Sequence, residues 1–441
     1  MKFKSLVLFI LLAMLWSCKP DIENFSPSKG TADFTKYIAI GNSTTAGYAD
    51  GALYRQGQIY SYPNMLAEQF KKAGGGEFTQ PLMLDELGFG GKRVLGYVTD
   101  CAGNTSLSPT LAGGTPNPQN FASIADQGPF NNMGVPGAKS FHLLAPGYGQ
   151  MNPYFGRFAS SASTSIIADA LAQQATFFTL WIGNNDVLTY AMAGGESDSI
   201  TNPVAYGQYM GLILQQLTAN GAKGAIANIP DITSLPFFNT IPAYGLALTS
   251  QAQVDQLNAA YAPYNAGADQ LGVPHISFSL GANPFVIQDN TPPYNLLGGL
   301  RQIKQGELLT LYLPQDSLKC AYWGSAKPIP AQYVLDKAEL DAISTAITSY
   351  NQTITTLASQ FNLALVDLNS KLKGAKTGLV YDGLRFTATF VTGGFFSLDG
   401  VHFNPQGNAI VANYFIDAIN QQYQAKIPKI NITKYPGIVF P

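Results

Sequence analysis

The sequence is short of charge. Asp, Glu, Lys and Arg make up 12% of its 441 residues, against about a quarter in an average soluble protein. The formal net charge is −2, so no basic field of the kind that nucleic-acid binding needs is present. Cysteine and histidine are scarcer still, with three of each. Cys18, Cys101 and Cys320 lie far apart and have none of the close spacing of a zinc site. No Gly-x-Ser-x-Gly elbow occurs, and Gly88-Phe-Gly90-Gly91-Lys92 fits neither dinucleotide nor P-loop spacing, so it reads as a turn. Beyond the N-terminus no run reaches about 18 apolar residues, which leaves no further membrane-spanning helix to expect. There is no internal repeat.

What is present excludes disorder: 46% of the chain is hydrophobic. Glycine, proline, asparagine, serine and tyrosine fill the place of charge, a loop-rich composition that resembles exported bacterial proteins. Lys2 and Lys4 precede an apolar stretch from Leu6 to Trp16, too short to span a bilayer but suited to a signal peptide. It ends in Leu15-Trp16-Ser17-Cys18, which resembles a lipobox with cleavage before a lipidated Cys18. The expected organisation is a signal over 1–17, a lipid-anchored tether over 18–33, a main domain over 34–425 and a C-terminal extension over 426–441. The anchor would tie the protein to a membrane, expected to be a bacterial outer membrane, on its periplasmic or its outer face. In an exported chain Cys101 and Cys320 could pair; two free thiols are the other option.

Within the main domain, short apolar runs alternate with helical spacing. Lys36–Ile40, Thr176–Ile182, Gly224–Ile229 and Leu363–Leu368 read as buried strands. Tyr62–Lys72, Ser165–Ala175, Tyr206–Thr218, a piece near Gln251–Tyr261, Asp336–Gln360 and Pro405–Tyr423 read as helices, with Asp336 and Glu339 at capping-box spacing. Val380–Leu384 fits a tight hairpin turn. Two loop-rich stretches, about 74–128 and 231–331, read as insertions. The pattern predicts a three-layer α/β/α sandwich with a mainly parallel, flavodoxin-like sheet, whose active residues would gather where strands end.

Those strand ends carry polar groups. The first strand breaks into Gly41-Asn42-Ser43. The next long one ends at Gly183-Asn184-Asn185-Asp186. Of the three histidines, His402 has an aspartate three residues before it, Asp399, so one loop can carry a base and the acid that orients it. Each piece alone also fits a turn or a helix cap. An amide such as Asn185, or a glycine N–H such as Gly137 in Val135-Pro136-Gly137-Ala138, can donate into an oxyanion hole.

In this order the four pieces resemble the SGNH hydrolases, also called GDSL esterases and lipases, from about Tyr37 to Tyr423. Ile40–Gly47 resembles the first block, Val135–Ser140 the second, Gly183–Asp186 the third and Asp399–His402 the last. The first block reads Gly-Asn-Ser-Thr where the family usually has Gly-Asp-Ser-Leu, which removes a negative charge beside Ser43. The second is the loosest match, and Gly134 rivals Gly137. The resemblance implies Ser43 as nucleophile, His402 as base and Asp399 as orienting acid, with Ser43, Gly137 and Asn185 forming the oxyanion hole. It implies an ester hydrolase of the carboxylesterase, lipase or carbohydrate O-acetylesterase type, with an acylated glycan or lipid as substrate and no metal or organic cofactor. Two other functions suit the same scaffold: a non-catalytic glycan- or lipid-binding surface lipoprotein, and an O-acyltransferase.

Overall fold

The computed structural model describes residues 25–441; the signal peptide, Cys18 and the first part of the tether lie outside the described residues. Five short strands form the central sheet: β1 (Tyr37–Gly41), β2 (Asn132–Gly134), β3 (Phe177–Trp181), β4 (Lys223–Ala227) and β5 (Ala364–Val366). All neighbours run parallel, in the order β5-β4-β3-β1-β2. Read from the other edge this is 2-1-3-4-5, the flavodoxin-like order.

Both faces of the sheet are covered, so successive strand residues are buried on opposite sides. Ile38 and Ile40 of β1 join Phe178 and Leu180 of β3 in one cluster, while Tyr37 and Ala39 join Phe177 and Trp181 in the other. Six helices matter for the site and its support: α1 (Ser43–Ala46), α2 (Tyr62–Lys72), α3 (Asn185–Met192), α4 (Pro203–Thr218), α5 (Lys337–Gln360) and α6 (Pro405–Tyr423). α4 and α5 cover the first face, where Tyr206 stacks on Tyr350 with centroids 4.1 Å apart. α2 and α6 cover the second, where Tyr62 stacks on Phe415 at 4.9 Å. The expected three-layer sandwich is what is observed.

The 74–128 and 231–331 stretches add no strand to this sheet. The first contains an antiparallel hairpin, Arg93–Thr99 with Thr105–Leu111. The second holds small antiparallel pairs around a buried Arg301, which is bound by Asp289 at 2.5 Å and Glu307 at 2.6 Å. Cys101, in the turn of the hairpin, is disulfide-bonded to Cys320 across a sequence separation of 219.

Three expectations need correcting. The helix expected near Gln251–Tyr261 runs on to Leu271 and carries Pro263 inside it, although proline normally breaks a helix interior. The tether does not extend to residue 33. Ser28 forms a β-bridge with Lys426, and Ala32 is buried. Nor does the chain after 425 stand apart: Ile427, Ile430 and Ile432 are buried in the same cluster as Ala32 and Phe34, so both terminal segments are held by apolar burial.

Candidate active site

The strand order reverses direction between β1 and β3, which opens a crevice at their C-terminal ends. Ser43 follows β1 there and Asn185 follows β3. Ser43 opens α1, whose N-cap is Asn42: the Asn42 side chain accepts from the Thr44 N–H at 3.1 Å. An aspartate could do the same, so asparagine preserves the cap without the charge.

His402 reaches Ser43 from a distant loop. Its Nε2 lies 2.8 Å from Ser43 Oγ, and its Nδ1 lies 2.9 Å from Asp399 Oδ2. The loop holds itself in place. Asp399 Oδ1 accepts from the N–H of Val401 at 2.9 Å, the N–H of His402 at 2.8 Å and the hydroxyl of Ser397 at 3.0 Å. Oδ2 also accepts from the Gly51 N–H at 3.1 Å. Burial opposes ionisation of Asp399, but the neighbouring His402 and these hydrogen bonds outweigh it and hold the carboxyl well below the usual range. A carboxylate fixed in this way sets the tautomer and ring orientation of His402.

Three residues that the sequence reading missed support this loop. Asp50 accepts from the Leu398 N–H at 2.9 Å and the Tyr54 hydroxyl at 2.7 Å, and its own N–H donates to Ser397 Oγ at 3.0 Å. Burial pushes the Asp50 carboxyl up, and the Asp399 charge pushes it the same way. Ser397 therefore bridges Asp50 and Asp399. Tyr48 packs on the His402 ring, centroids 4.8 Å apart, and its hydroxyl donates to Gly51 O at 2.5 Å.

On the other side of Ser43, Asn185 is buried at the start of α3, and its Nδ2 donates to Ala138 O at 2.9 Å. One amide hydrogen is thus used for orientation, and the second is left for a ligand. Gly137 has φ of 80° and is exposed on the cavity wall that Ser43 and Asn185 share. Its rival Gly134 is the last residue of β2, buried against α1, with no space for a Cβ beside the Ala46 backbone. The structure therefore brings Gly137, and not Gly134, to the site. Asp186 accepts from the Ser140 hydroxyl at 2.6 Å and the Ser140 N–H at 2.8 Å, joining the Gly137 loop to α3.

The other histidines lie outside this chain of hydrogen bonds. His142 Nδ1 accepts from the Lys139 N–H at 3.0 Å, and His275 pairs with Asp269 at 2.7 Å on the surface. Among the described residues no group of three or more His, Cys, Asp or Glu side chains is placed to hold a metal ion, and no helix is long and apolar enough to cross a membrane.

No protein-family model matches the chain. No curated protein matches its sequence. Distant likenesses exist among solved structures. A protein described as a GDSL-like lipase from Parabacteroides merdae aligns at 11% identity and a TM-score of 0.35, over 89% of this chain and 99% of its own. LAE5, an α/β hydrolase enzyme from the metagenome of Lake Arreo, aligns at 11% and 0.36, over 88% of this chain and 96% of its own. An extracellular lipase from Streptomyces rimosus aligns at 10% and 0.34, over 88% and 99%. These likenesses are too distant to bear on chemistry.

Proposed function

We propose that the protein is a serine ester hydrolase. The observation that carries this reading is the continuous hydrogen-bonded chain from Ser43 Oγ through His402 to Asp399, with links of 2.8 and 2.9 Å. It stands at the C-terminal edge of the sheet and opens into a large cavity.

In this reading Ser43 Oγ attacks the ester carbonyl carbon while its proton passes to His402 Nε2. Asp399 stabilises the imidazolium so formed. The N–H groups of Ser43 and Gly137 and the free hydrogen of Asn185 Nδ2 face the developing oxyanion; removing one such donor costs about 10²–10³ in turnover. The intermediate collapses as His402 returns the proton to the leaving alcohol oxygen. Water then attacks the acyl-enzyme, giving a proton to His402, which passes it to Ser43 Oγ as the acyl bond breaks and the carboxylic acid leaves. A lipid anchor at Cys18 would hold this domain at a membrane of the exporting cell; metabolic labelling with a radioactive fatty acid, lost in Cys18→Ser, tests that part.

Hydrolysis of p-nitrophenyl esters by the wild type and by Ser43→Ala tests the chemistry. Turnover that disappears in the variant, with an unchanged far-UV circular dichroism spectrum, supports Ser43 as nucleophile. A folded wild type inert towards every ester, or a Ser43→Ala protein that keeps its rate, overturns the reading.

A further inference from the structure

The cavity over Ser43 has a volume of about 1340 Å³, beyond the roughly 300–1,000 Å³ of an ordinary small-molecule site. Its wall is largely apolar. Leu188 and Met192 come from α3, the helix that Asn185 opens, and Ile241, Leu246, Leu248 and Phe285 from the 231–331 stretch. An acetyl group bound at Ser43 would leave almost all of that surface in water. The wall fits a ligand that is itself long and apolar.

The charges on the wall are few and specific. Arg93, Lys319, Asp399 and His402 line the cavity. Asp399 and His402 are bound to each other at 2.9 Å, and Lys319 is bound to Asp100 at 2.8 Å. Arg93 remains. Its guanidinium makes no hydrogen bond and no ion pair among the described residues, although the residue is only partly exposed. The guanidinium is open to the cavity, and its planar fork matches phosphate or carboxylate oxygens.

The position of Arg93 says which part of an ester it would meet. Its Nη1 lies over Gly51, where a Cβ would come within 2.2 Å of it. The Gly51 N–H donates to Asp399 Oδ2 at 3.1 Å, the oxygen that also holds His402. Arg93 therefore stands on the His402 side of Ser43. In the reaction above, His402 hands its proton to the leaving alcohol, so a cation on this side faces the alcohol half of the substrate.

We propose that the cavity is built for an amphiphilic ester, with a long acyl chain along the apolar wall and a phosphate or carboxylate on the alcohol held by Arg93. This rests on the ester-hydrolase reading. It narrows that reading to acylated anionic alcohols.

The test uses three esters of one acyl chain, 1-decanoylglycerol, 1-decanoylglycerol 3-phosphate and decanoyl lactate, with p-nitrophenyl acetate and decanoate for chain length. Each buried methylene raises kcat/KM by up to about fourfold, so decanoate should exceed acetate by at least tenfold. The wild type should prefer one or both anionic esters to 1-decanoylglycerol. Arg93→Gln should lower the ratio of anionic to neutral kcat/KM about tenfold or more, chiefly through KM, and Arg93→Lys should restore part of it. A preference for the phosphate ester alone, or for the lactate ester alone, identifies the anion. Equal losses on neutral and anionic esters would make Arg93 a packing residue and overturn the proposal, as would equal rates on acetate and decanoate. Calorimetric binding of 1-decanoylglycerol 3-phosphate to Ser43→Ala separates the two readings. Binding that Arg93→Gln weakens, in a protein that hydrolyses nothing, sinks the hydrolase and keeps the site; hydrolysis without such binding does the reverse.

Discussion

Asp186 holds Ser140 by two hydrogen bonds, 2.6 Å from the hydroxyl and 2.8 Å from the N–H. Ser140 ends the loop that begins with Gly137, and Asp186 follows Asn185 on α3. The two elements that would supply an oxyanion hole are thus joined by one buried carboxylate, whose ionisation burial opposes and the Ser140 bonds favour. Ser140→Ala removes one donor and leaves the buried carboxylate short of a partner. Loss of about 1–3 kcal/mol of stability is expected, together with a fall in kcat larger than any rise in KM. Denaturant melts and steady-state kinetics check both; a normal kcat would show that the link does not position the donors.

Gly134 and Gly137 are three residues apart and should fail differently. A Cβ at Gly134 would collide with the Ala46 backbone, which β2 packs against. Gly134→Ala is expected to destabilise the fold by several kcal/mol, beyond the ~1–3 kcal/mol usual for overpacking. At Gly137 a Cβ meets only Asn152 Nδ2, at 3.9 Å, but φ is 80°. Alanine there costs about 1 kcal/mol or slightly more, and relaxing towards negative φ would re-aim the N–H that the proposed oxyanion hole uses. A melting temperature close to wild type with a sharply lower kcat is expected for Gly137→Ala. The opposite pattern would return Gly134 to the site.

The contrast between these glycines marks how far the sequence could be read. Strand ends were legible because an apolar run stops at glycine, as at Gly41 and Gly183. α6 was legible from its first-turn proline and α5 from its capping box, in which Asp336 accepts from the Glu339 N–H at 2.9 Å. Ser43, Asn185 and the Asp399–His402 pair were visible because each has a local spacing. Asp50, Ser397 and Tyr48 were not. Asp50 meets Leu398 across 348 positions, and no local pattern encodes that meeting. The choice between Gly137 and Gly134 needed the same long-range knowledge, as did the pairing of Cys101 with Cys320.

That disulfide makes its own prediction. It closes a loop of 219 residues, for which the chain-entropy limit is about 5 kcal/mol and common experience about 2–4. The bridge joins two stretches that lie outside the sheet, so the core should keep its structure without it. Cys101→Ser with Cys320→Ser is expected to lower stability by roughly 2–4 kcal/mol and to make the hairpin sensitive to protease. Ser43 should still react with a fluorophosphonate probe. Mass spectrometry of the proteolytic fragments locates the cuts, and a hairpin that stays resistant would show that packing alone secures the cavity wall.

Glu339 gives the prediction with a defined pH window. Burial pushes its carboxyl up from 4.5 to about 7; the Asp336 N–H it accepts from pulls it down, and the charges of Asp336 and Glu196 push it further up. The folded state therefore binds this proton more tightly than the unfolded chain. The stability so gained is complete below pH 4.5 and is lost as the pH rises to about 7. The group is partly exposed, so solvent and salt keep the effect small. Glu339→Gln cannot titrate, yet glutamine serves at the same position of a capping box. The variant should match the wild type at pH 4.5, gain on it steadily towards pH 7 and keep a constant advantage above pH 8. Melting temperatures of both proteins at half-unit steps across that range decide the matter. Parallel curves would mean that Glu339 carries no excess proton in the fold.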